Sequence, residues 1–244
     1  MTDQSVPAVF ERVLPLLTPA PEHPDTSRGY LDLLGAQGEA PSGPIQSFWE
    51  SSAGSALYDH AQSLARRVLP MWFGLPTRAH PPAGGRVLDI GCGPGNVTAR
   101  MGSAVGPTGL AIGIDVSGAM LARAARTEST GNVGFIRADA RELPFPDGTF
   151  DLVTSFAALQ LIPDPHEVLA GMARVLAPAG WIAVMVPTPR GSLLHHAAKL
   201  VGERSGLEFF DAAEVAESLQ DAGVGAVHTH RSGPVLWITA RRTA

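Results

Sequence analysis

Residues Val87 to Gly95 read Val-Leu-Asp-Ile-Gly-Cys-Gly-Pro-Gly, and no other run in the chain constrains the fold so tightly. Val87, Leu88 and Ile90 have the character of a buried strand, and the strand runs into a turn with glycine at 91, 93 and 95. Glycine there lets the backbone bend sharply and lets a ligand approach the main chain with no Cβ in the way. A second apolar run, Leu110 to Ile114, ends on Asp115, 24 residues past Gly91. A carboxylate at that spacing suits the two hydroxyls of a ribose, so an adenosine-containing cofactor is expected where the two strands end.

Two details choose among such cofactors. A dinucleotide fingerprint carries its third glycine three positions after the second, where a helix packs on the strand and faces a pyrophosphate; here that position is Asn96. Asp89 also places a negative charge beside the loop. At an effective dielectric of about 20, two unit charges about 4 Å apart interact by roughly 4 kcal/mol. A pyrophosphate would be repelled and a ligand carrying an ammonium and a sulfonium attracted, which points to S-adenosylmethionine.

With these residues the chain resembles the class I S-adenosylmethionine-dependent methyltransferases, in the branch similar to the ubiquinone and menaquinone biosynthesis enzymes. The segment Asp115-Val-Ser-Gly-Ala-Met120 is similar to the family's acidic segment after the second strand. Ala138-Asp-Ala-Arg-Glu-Leu-Pro-Phe-Pro-Asp-Gly-Thr-Phe-Asp151 resembles the next two motifs joined, and Arg174-Val-Leu-Ala-Pro-Ala-Gly180 the helix exit before the fifth strand. The resemblance implies cofactor roles for Asp89, Gly91, Cys92, Gly93, Asp115, Val116, Met120, Asp139, Ala140 and Phe156. The main chain of Gly91 and Gly93 would lie under the methionine part, with Asp89 toward its amino group. Asp115 would hold the ribose hydroxyls, Val116 would lie against the adenine face, and Asp139 would accept from the adenine amine. Ala140 would present its amide to the ring, and Phe156 would follow the fourth strand beside the methionine moiety. Cys92 fills a variable slot between two glycines. Two departures stand out: the family often carries two histidines where this chain has Gln160-Leu161, and Ala179 stands where glycine is common.

From Arg86 onward strand and helix signals alternate, which implies an α/β, Rossmann-like, doubly wound and mostly parallel sheet. Seven strands are expected: Arg86 to Ile90, Leu110 to Asp115, Val133 to Ala138, Phe150 to Ser155, Trp181 to Val186, Ala226 to His230 and Val235 to Ala240. The last two are joined by Arg231-Ser-Gly-Pro234, too short for a crossover helix, so the last strand should run antiparallel. Asp164 followed by Pro165, with Glu167 three residues on, reads as a capping box, and Asp211 with Glu214 repeats it. Residues 1–82 show helical stretches near Ala8 to Leu17, Ser27 to Leu34, Ile45 to His60 and Ala61 to Phe73 without β-alternation. The expected division is a helical cap over the active site (1–82) and a methyltransferase domain (83–244). Trp49, Tyr58 and Trp72 are candidates to line the acceptor pocket.

Composition narrows the partners. Eighteen basic against 23 acidic residues, with net charge −5 and no basic block, lacks the footprint of a nucleic-acid binder. The one cysteine permits neither an intrachain disulfide nor a cysteine metal cluster. No stretch approaches the roughly 18 apolar residues of a membrane span, and a cytoplasmic protein, monomer or homodimer, is expected.

Methyl transfer from a sulfonium is an in-line displacement, so alignment and exclusion of water carry the catalysis, worth about 7–11 kcal/mol. A base is needed only for a hydroxyl or carbon acid, and His195 and His196 are the candidates. His228 and His230 share a strand face without a third ligand, so no metal site is expected. Ser155-Phe156-Ala157-Ala158 lacks both the Asn/Asp-Pro-Pro of amino-methylating nucleic-acid enzymes and the carboxylate of metal-dependent catechol enzymes. The expected acceptor is a small, rather apolar organic molecule such as a natural product, quinone or lipid precursor, methylated on oxygen or carbon. A non-catalytic cofactor-binding regulator and a protein methyltransferase are the alternatives.

Overall fold

The computed structural model describes residues 7–35, 79–187, 212–233 and 235–243. In it the apolar runs form one sheet of eight strands: β1 (Leu31–Asp32), β2 (Arg86–Ile90), β3 (Leu110–Asp115), β4 (Val133–Arg137), β5 (Phe150–Phe156), β6 (Leu176–Pro187), β7 (Gly225–Ser232) and β8 (Val235–Arg241). Their order is β1-β4-β3-β2-β5-β6-β8-β7. Pairing is parallel from β1 through β6, while β8 runs antiparallel between β6 and β7. The expected hairpin and antiparallel last strand are therefore present.

Side-chain alternation makes the sheet a middle layer. Leu88 and Ile90 of β2, Ile112 and Ile114 of β3 and Val153 of β5 face one side. There they meet α1 (Ala8–Val13) through Val9, Phe10 and Val13, and α4 (Pro165–Val175) through Val168, Leu169 and Met172. Val87, Ala111, Phe135 and Leu152 face the other side. They pack on Met101 and Val105 of α2 (Asn96–Val105) and on Leu121 and Ala124 of α3 (Gly118–Glu128). Each fully buried side chain of this kind contributes roughly 1.5–3 kcal/mol. The remaining described helix, α5 (Ala212–Asp221), buries Val215 and Leu219 against the first face. Because β3 and β5 flank β2 on opposite sides, the winding reverses at β2, and the crevice beyond its carboxyl end is where ligands bind in open α/β sheets.

Three sequence expectations change. The sheet has an eighth strand, β1, and it falls within the stretch Ser27 to Leu34 expected to be helical. The helix is lost to competing local bonds: Asp25 accepts from the Ser27 amide and hydroxyl, Asp32 from the amides of Leu34 and Gly35, and Gly29 turns at φ 82°. Asp164 does stand at the N-cap of α4 with Pro165 following, but it sits at φ 53° and its side chain makes no cap bond. Its carboxylate lies 3.7 Å from Arg141 instead. In the N-terminal segment α1 forms within the stretch Ala8 to Leu17 expected to be helical; it lies on the sheet face, Val9 against Gly134, and Arg12 donates to the carbonyls of Thr108 and Gly109 at the start of β3. Residues 36–78 of the expected cap, with Trp49, Tyr58 and Trp72 among them, lie outside the described residues, as does Asp211 of the second capping box.

Ala179 occupies the left-handed region at φ 62° on an exposed turn within β6. A Cβ is disfavoured there by about 1–2 kcal/mol, and glycine is not. Ala179→Gly is expected to stabilise the fold by about 1 kcal/mol, since glycine's larger unfolded-state entropy offsets part of the relief. The thermal midpoint should rise by about 2–4 °C; a lower midpoint in calorimetry would contradict this.

Candidate functional site

The turn after β2 is built by main-chain bonds across the sheet's switch point. The amides of Gly91 and Cys92 both donate to the Ile114 carbonyl, at 2.9 and 3.0 Å, so the loop folds over the end of β3. Gly91 has φ 68°, and a Cβ placed on it would lie 2.2 Å from the Ala158 Cβ, so this approach admits glycine alone. Gly95, at φ 81°, starts α2 with Phe135 and Ala124 so near that a side chain would collide with both.

Asp115 stands at the other wall. One carboxylate oxygen accepts from the Gly93 amide and the other from the Ser117 amide, each at 2.9 Å. Two fixed donors from separate loops set its plane, so it joins the glycine loop to the start of α3. Ser117 itself caps α3 by accepting from the Met120 amide. Val116 is half-buried beside it, while Met120 is buried.

Asp89 is only 2% exposed, on the α2 side of β2. Its two oxygens accept from the hydroxyls of Thr98 in α2 at 2.7 Å and of Thr154 in β5 at 2.9 Å. Burial pushes its carboxyl up from 3.8 to about 6; the Thr98 and Thr154 hydroxyls pull the other way and the nearby Asp115 charge adds to the rise. Cys92 is buried, and desolvation together with the charges of Asp115 and Asp89 raises its thiol well above the ordinary range. A thiol so placed is inert packing rather than a nucleophile.

Asp139 follows β4. Arg141 grips its carboxylate with Nε at 3.1 Å to each oxygen and Nη2 at 2.6 Å, and the Arg141 amide adds a bond of 2.9 Å. The Arg141 side chain holds Asp139 below the usual carboxylate range, against partial burial. Ala140 is buried next to it. Phe156, at the end of β5, meets Trp237 of β8 edge-to-face at 5.2 Å, and Met185 and Val235 join them in a small apolar cluster.

Beyond β5, Ala157 takes φ 56° and Gln160 donates through Nε2 to its carbonyl at 2.7 Å. Gln160 is 7% exposed, and its Oε1 has no hydrogen-bond partner among the described residues. A buried acceptor of this kind costs about 1–3 kcal/mol unless something donates to it. Sequence reasoning passed over Thr98, Thr154, Arg141 and the orphaned oxygen of Gln160. For Thr98 a signal existed, a hydroxyl three residues after the last loop glycine; for Thr154 only the strand register reveals it. His195 and His196 lie outside the described residues. His228 and His230 are exposed on β7, and among the described residues no group of three or more His, Cys, Asp or Glu could hold a metal.

A sheet reversing at β2, main chain bared by glycines and a carboxylate fixed at the next strand end belong to a fold that solved methyltransferases share. Residues 87–180 match the family model described as a methyltransferase domain. The demethylmenaquinone methyltransferase of Bacillus licheniformis is 43% identical over 105 residues, 43% of this chain and 45% of that protein. The ubiquinone/menaquinone biosynthesis C-methyltransferase UbiE of Ectopseudomonas mendocina is 42% identical over 106 residues, 42% of this chain and 41% of that protein. This chain thus matches less than half the length of either relative. A phosphoethanolamine N-methyltransferase of Haemonchus contortus, solved with S-adenosylhomocysteine, shares the fold with a TM-score of 0.60 at 18% identity, covering 77% of this chain and 53% of that one. The likeness to a methyltransferase domain is thus confined to residues 87–180, while the fold as a whole is one that solved methyltransferases share. The bare backbone at Gly91, the clamped Asp115 and the unsatisfied Gln160 oxygen are features that fit S-adenosylmethionine.

Burial of Asp89 makes stability depend on pH. Its folded-state pKa lies above the unfolded value, so the native state holds the proton more tightly. That contribution is complete below about pH 4 and is lost as pH rises through about 6, amounting to about 3 kcal/mol. Asp89→Asn should abolish this slope. The midpoint of the variant relative to wild type should therefore climb by several degrees between about pH 4.5 and 7.5 in parallel thermal melts; a constant difference would show that Asp89 does not titrate in that window.

Proposed function

We propose that this chain is a methyltransferase that moves the methyl group of S-adenosylmethionine to oxygen or carbon of a small, rather apolar organic acceptor, a quinone, lipid precursor or natural product. The reading rests on Asp115, a carboxylate held rigidly between the glycine loop and the start of α3 at the place a ribose would require. The acceptor class is supported by the likeness of just over 100 residues of the chain to a demethylmenaquinone methyltransferase and a ubiquinone/menaquinone biosynthesis C-methyltransferase.

When bound, the cofactor supplies an electrophilic methyl on a sulfonium whose departure leaves a neutral thioether. The chain's own residues would bind and align it. Asp115 would accept from both ribose hydroxyls, and Val116 would cover one adenine face. Asp139, oriented by Arg141, and the Ala140 amide would meet the adenine edge. Gly91, Cys92 and Gly93 would offer main chain to the methionine part, with Met120 behind the loop. Asp89, its oxygens engaged by Thr98 and Thr154, would act through its negative field rather than as a proton carrier. Ionised Asp89 and Asp115 together disfavour a pyrophosphate and favour a cationic ligand.

Near the fifth strand, Gln160 takes the place of a histidine, and an amide cannot remove a proton. Its Oε1 would orient an acceptor or ammonium N–H or O–H. Deprotonation of the acceptor is then left to His195 or His196, or is unnecessary for an acceptor already anionic or strongly nucleophilic. Trp49, Tyr58 and Trp72 would supply the apolar walls that exclude water.

Two measurements test this reading. Isothermal titration should show that Asp115→Ala weakens S-adenosylmethionine by about 1–3 kcal/mol through the lost acceptor; unchanged affinity would place the ribose elsewhere. Incubation of the protein with methyl-labelled cofactor and a panel of quinols, phenols and lipid extracts should label a small apolar product. Tight cofactor binding with no labelled product from any acceptor would favour the regulatory reading, and label in protein alone would favour a protein substrate.

A further inference from the structure

The N-terminal segment reaches the cofactor loop through a buried ion pair. Arg137, the last residue of β4, has a side chain only 4% exposed, and Asp32 of β1, directly opposite in the parallel register, has one only 3% exposed. The Arg137 guanidinium divides its donors: Nε donates to the Val116 carbonyl at 3.0 Å, and Nη1 to the Asp32 carboxylate at 3.3 Å and to the Gly35 carbonyl at 3.0 Å. Asp32 also pairs with Arg28. Arg28 in turn covers the ring of Tyr30, 5.0 Å from its centroid. Tyr30 is 1% exposed and sits so close to Gly118, the first residue of α3, that a Cβ there would lie 2.9 Å from its hydroxyl. Backbone bonds complete the attachment, with the Leu33 amide donating to the Arg137 carbonyl at 3.0 Å.

These contacts converge on the turn Asp115-Val116-Ser117-Gly118. Val116 lies between the carboxylate that is clamped and the serine whose amide clamps it. A planar guanidinium can hold a carbonyl on one edge and a carboxylate on another in fixed geometry, which an ammonium cannot. Such a pair is costly to bury unless its geometry is held by further hydrogen bonds, and here Asp32 has the amides of Leu34 and Gly35 and Arg137 has two carbonyls.

We infer that Asp32 is a positioning residue for cofactor binding: through Arg137 it holds the Val116 carbonyl, and with it the turn that carries Asp115, so the strap of residues 25–35 sets affinity for the adenosine half of the cofactor. This rests on the reading that Asp115 receives a ribose. The strap lies outside the 87–180 match, so it is a contribution of this chain's N-terminal segment to a site whose other parts lie within the domain.

The test compares two ligands on the full chain by isothermal titration: S-adenosylhomocysteine, which has an amino-acid tail, and 5′-methylthioadenosine, which has none. In Asp32→Asn the dissociation constants of both should rise by the same factor, about three- to tenfold, the worth of one hydrogen bond to the turn. Their ratio should stay at the wild-type value, and Asp32→Glu should recover part of the loss. A general loosening of the fold would also weaken both ligands by one factor, so the thermal midpoint of the unliganded variant is measured alongside, and a loss of affinity accounted for by a lowered midpoint would overturn the inference. Unchanged affinities, or a loss confined to S-adenosylhomocysteine, would overturn the inference. Should Asp32→Asn not fold, Arg137→Lys is read by the same criteria, and failure of both to fold would reduce the strap to a folding element and end the proposal. Absence of binding in the wild-type chain would instead refute the cofactor reading itself.

Discussion

The contact between Gly91 and Ala158 is the constraint from which the site follows. Two loops, one leaving β2 and one leaving β5, meet there with no room for a side chain on the first. This closure is possible because β2 and β5 are hydrogen-bonded neighbours in parallel register, so both loops emerge at the same end of the sheet. It brings the amides of Gly91 and Cys92 onto the end of β3 and the amide of Gly93 onto Asp115. A bulkier residue at 91 would have to push apart a pair of strands whose ladder and buried faces hold the middle of the molecule.

Electrostatics then decide what such a crevice accepts. Asp89 and Asp115 are near enough for each charge to oppose the other, and Asp89 is buried beneath α2 with the hydroxyls of Thr98 and Thr154 on its two oxygens. Hydroxyl donors stabilise a carboxylate without neutralising it, so once ionised the site remains negative. The amino end of α2 offers some compensation, as any helix start does, but the first-turn residue placed to help, Thr98, spends its hydroxyl on Asp89. A negative floor under a bare backbone is poorly suited to phosphates and well suited to a ligand with positive charge at one end and a nucleoside at the other.

The strands from residue 86 onward were legible because buried parallel strands carry apolar runs that few other elements share, and the short Arg231 to Pro234 link fixed the sense of the last hairpin. The glycine loop and Asp115 were legible because their chemistry depends on residue type at a set spacing. What escaped was decided by tertiary contact. The helical look of Ser27 to Leu34 gave way to side-chain bonds from Asp25 and Asp32 and to an edge pairing with β4 that no local pattern announces. The capping pattern at Asp164 was present in sequence, yet its carboxylate faces Arg141 across 3.7 Å. Thr154, Arg141 and Gln160 acquire their roles only from register and loop geometry, which single positions do not encode.

The extra edge strand changes how the domain's boundary is understood. A parallel sheet edge left bare at β4 would present unpaired backbone groups; β1 covers a stretch of that edge with two residues from a segment more than 90 positions away in sequence. By ending beside Arg137 it also turns edge protection into leverage on the Val116 turn, because the strand's last side chain, Asp32, meets the guanidinium that holds that turn. The same few residues therefore cover the sheet edge and brace the turn that follows Asp115. Residues 87–180 supply the glycine loop and the carboxylates, while Arg137, which holds the turn after Asp115, meets its carboxylate partner in the chain that precedes them.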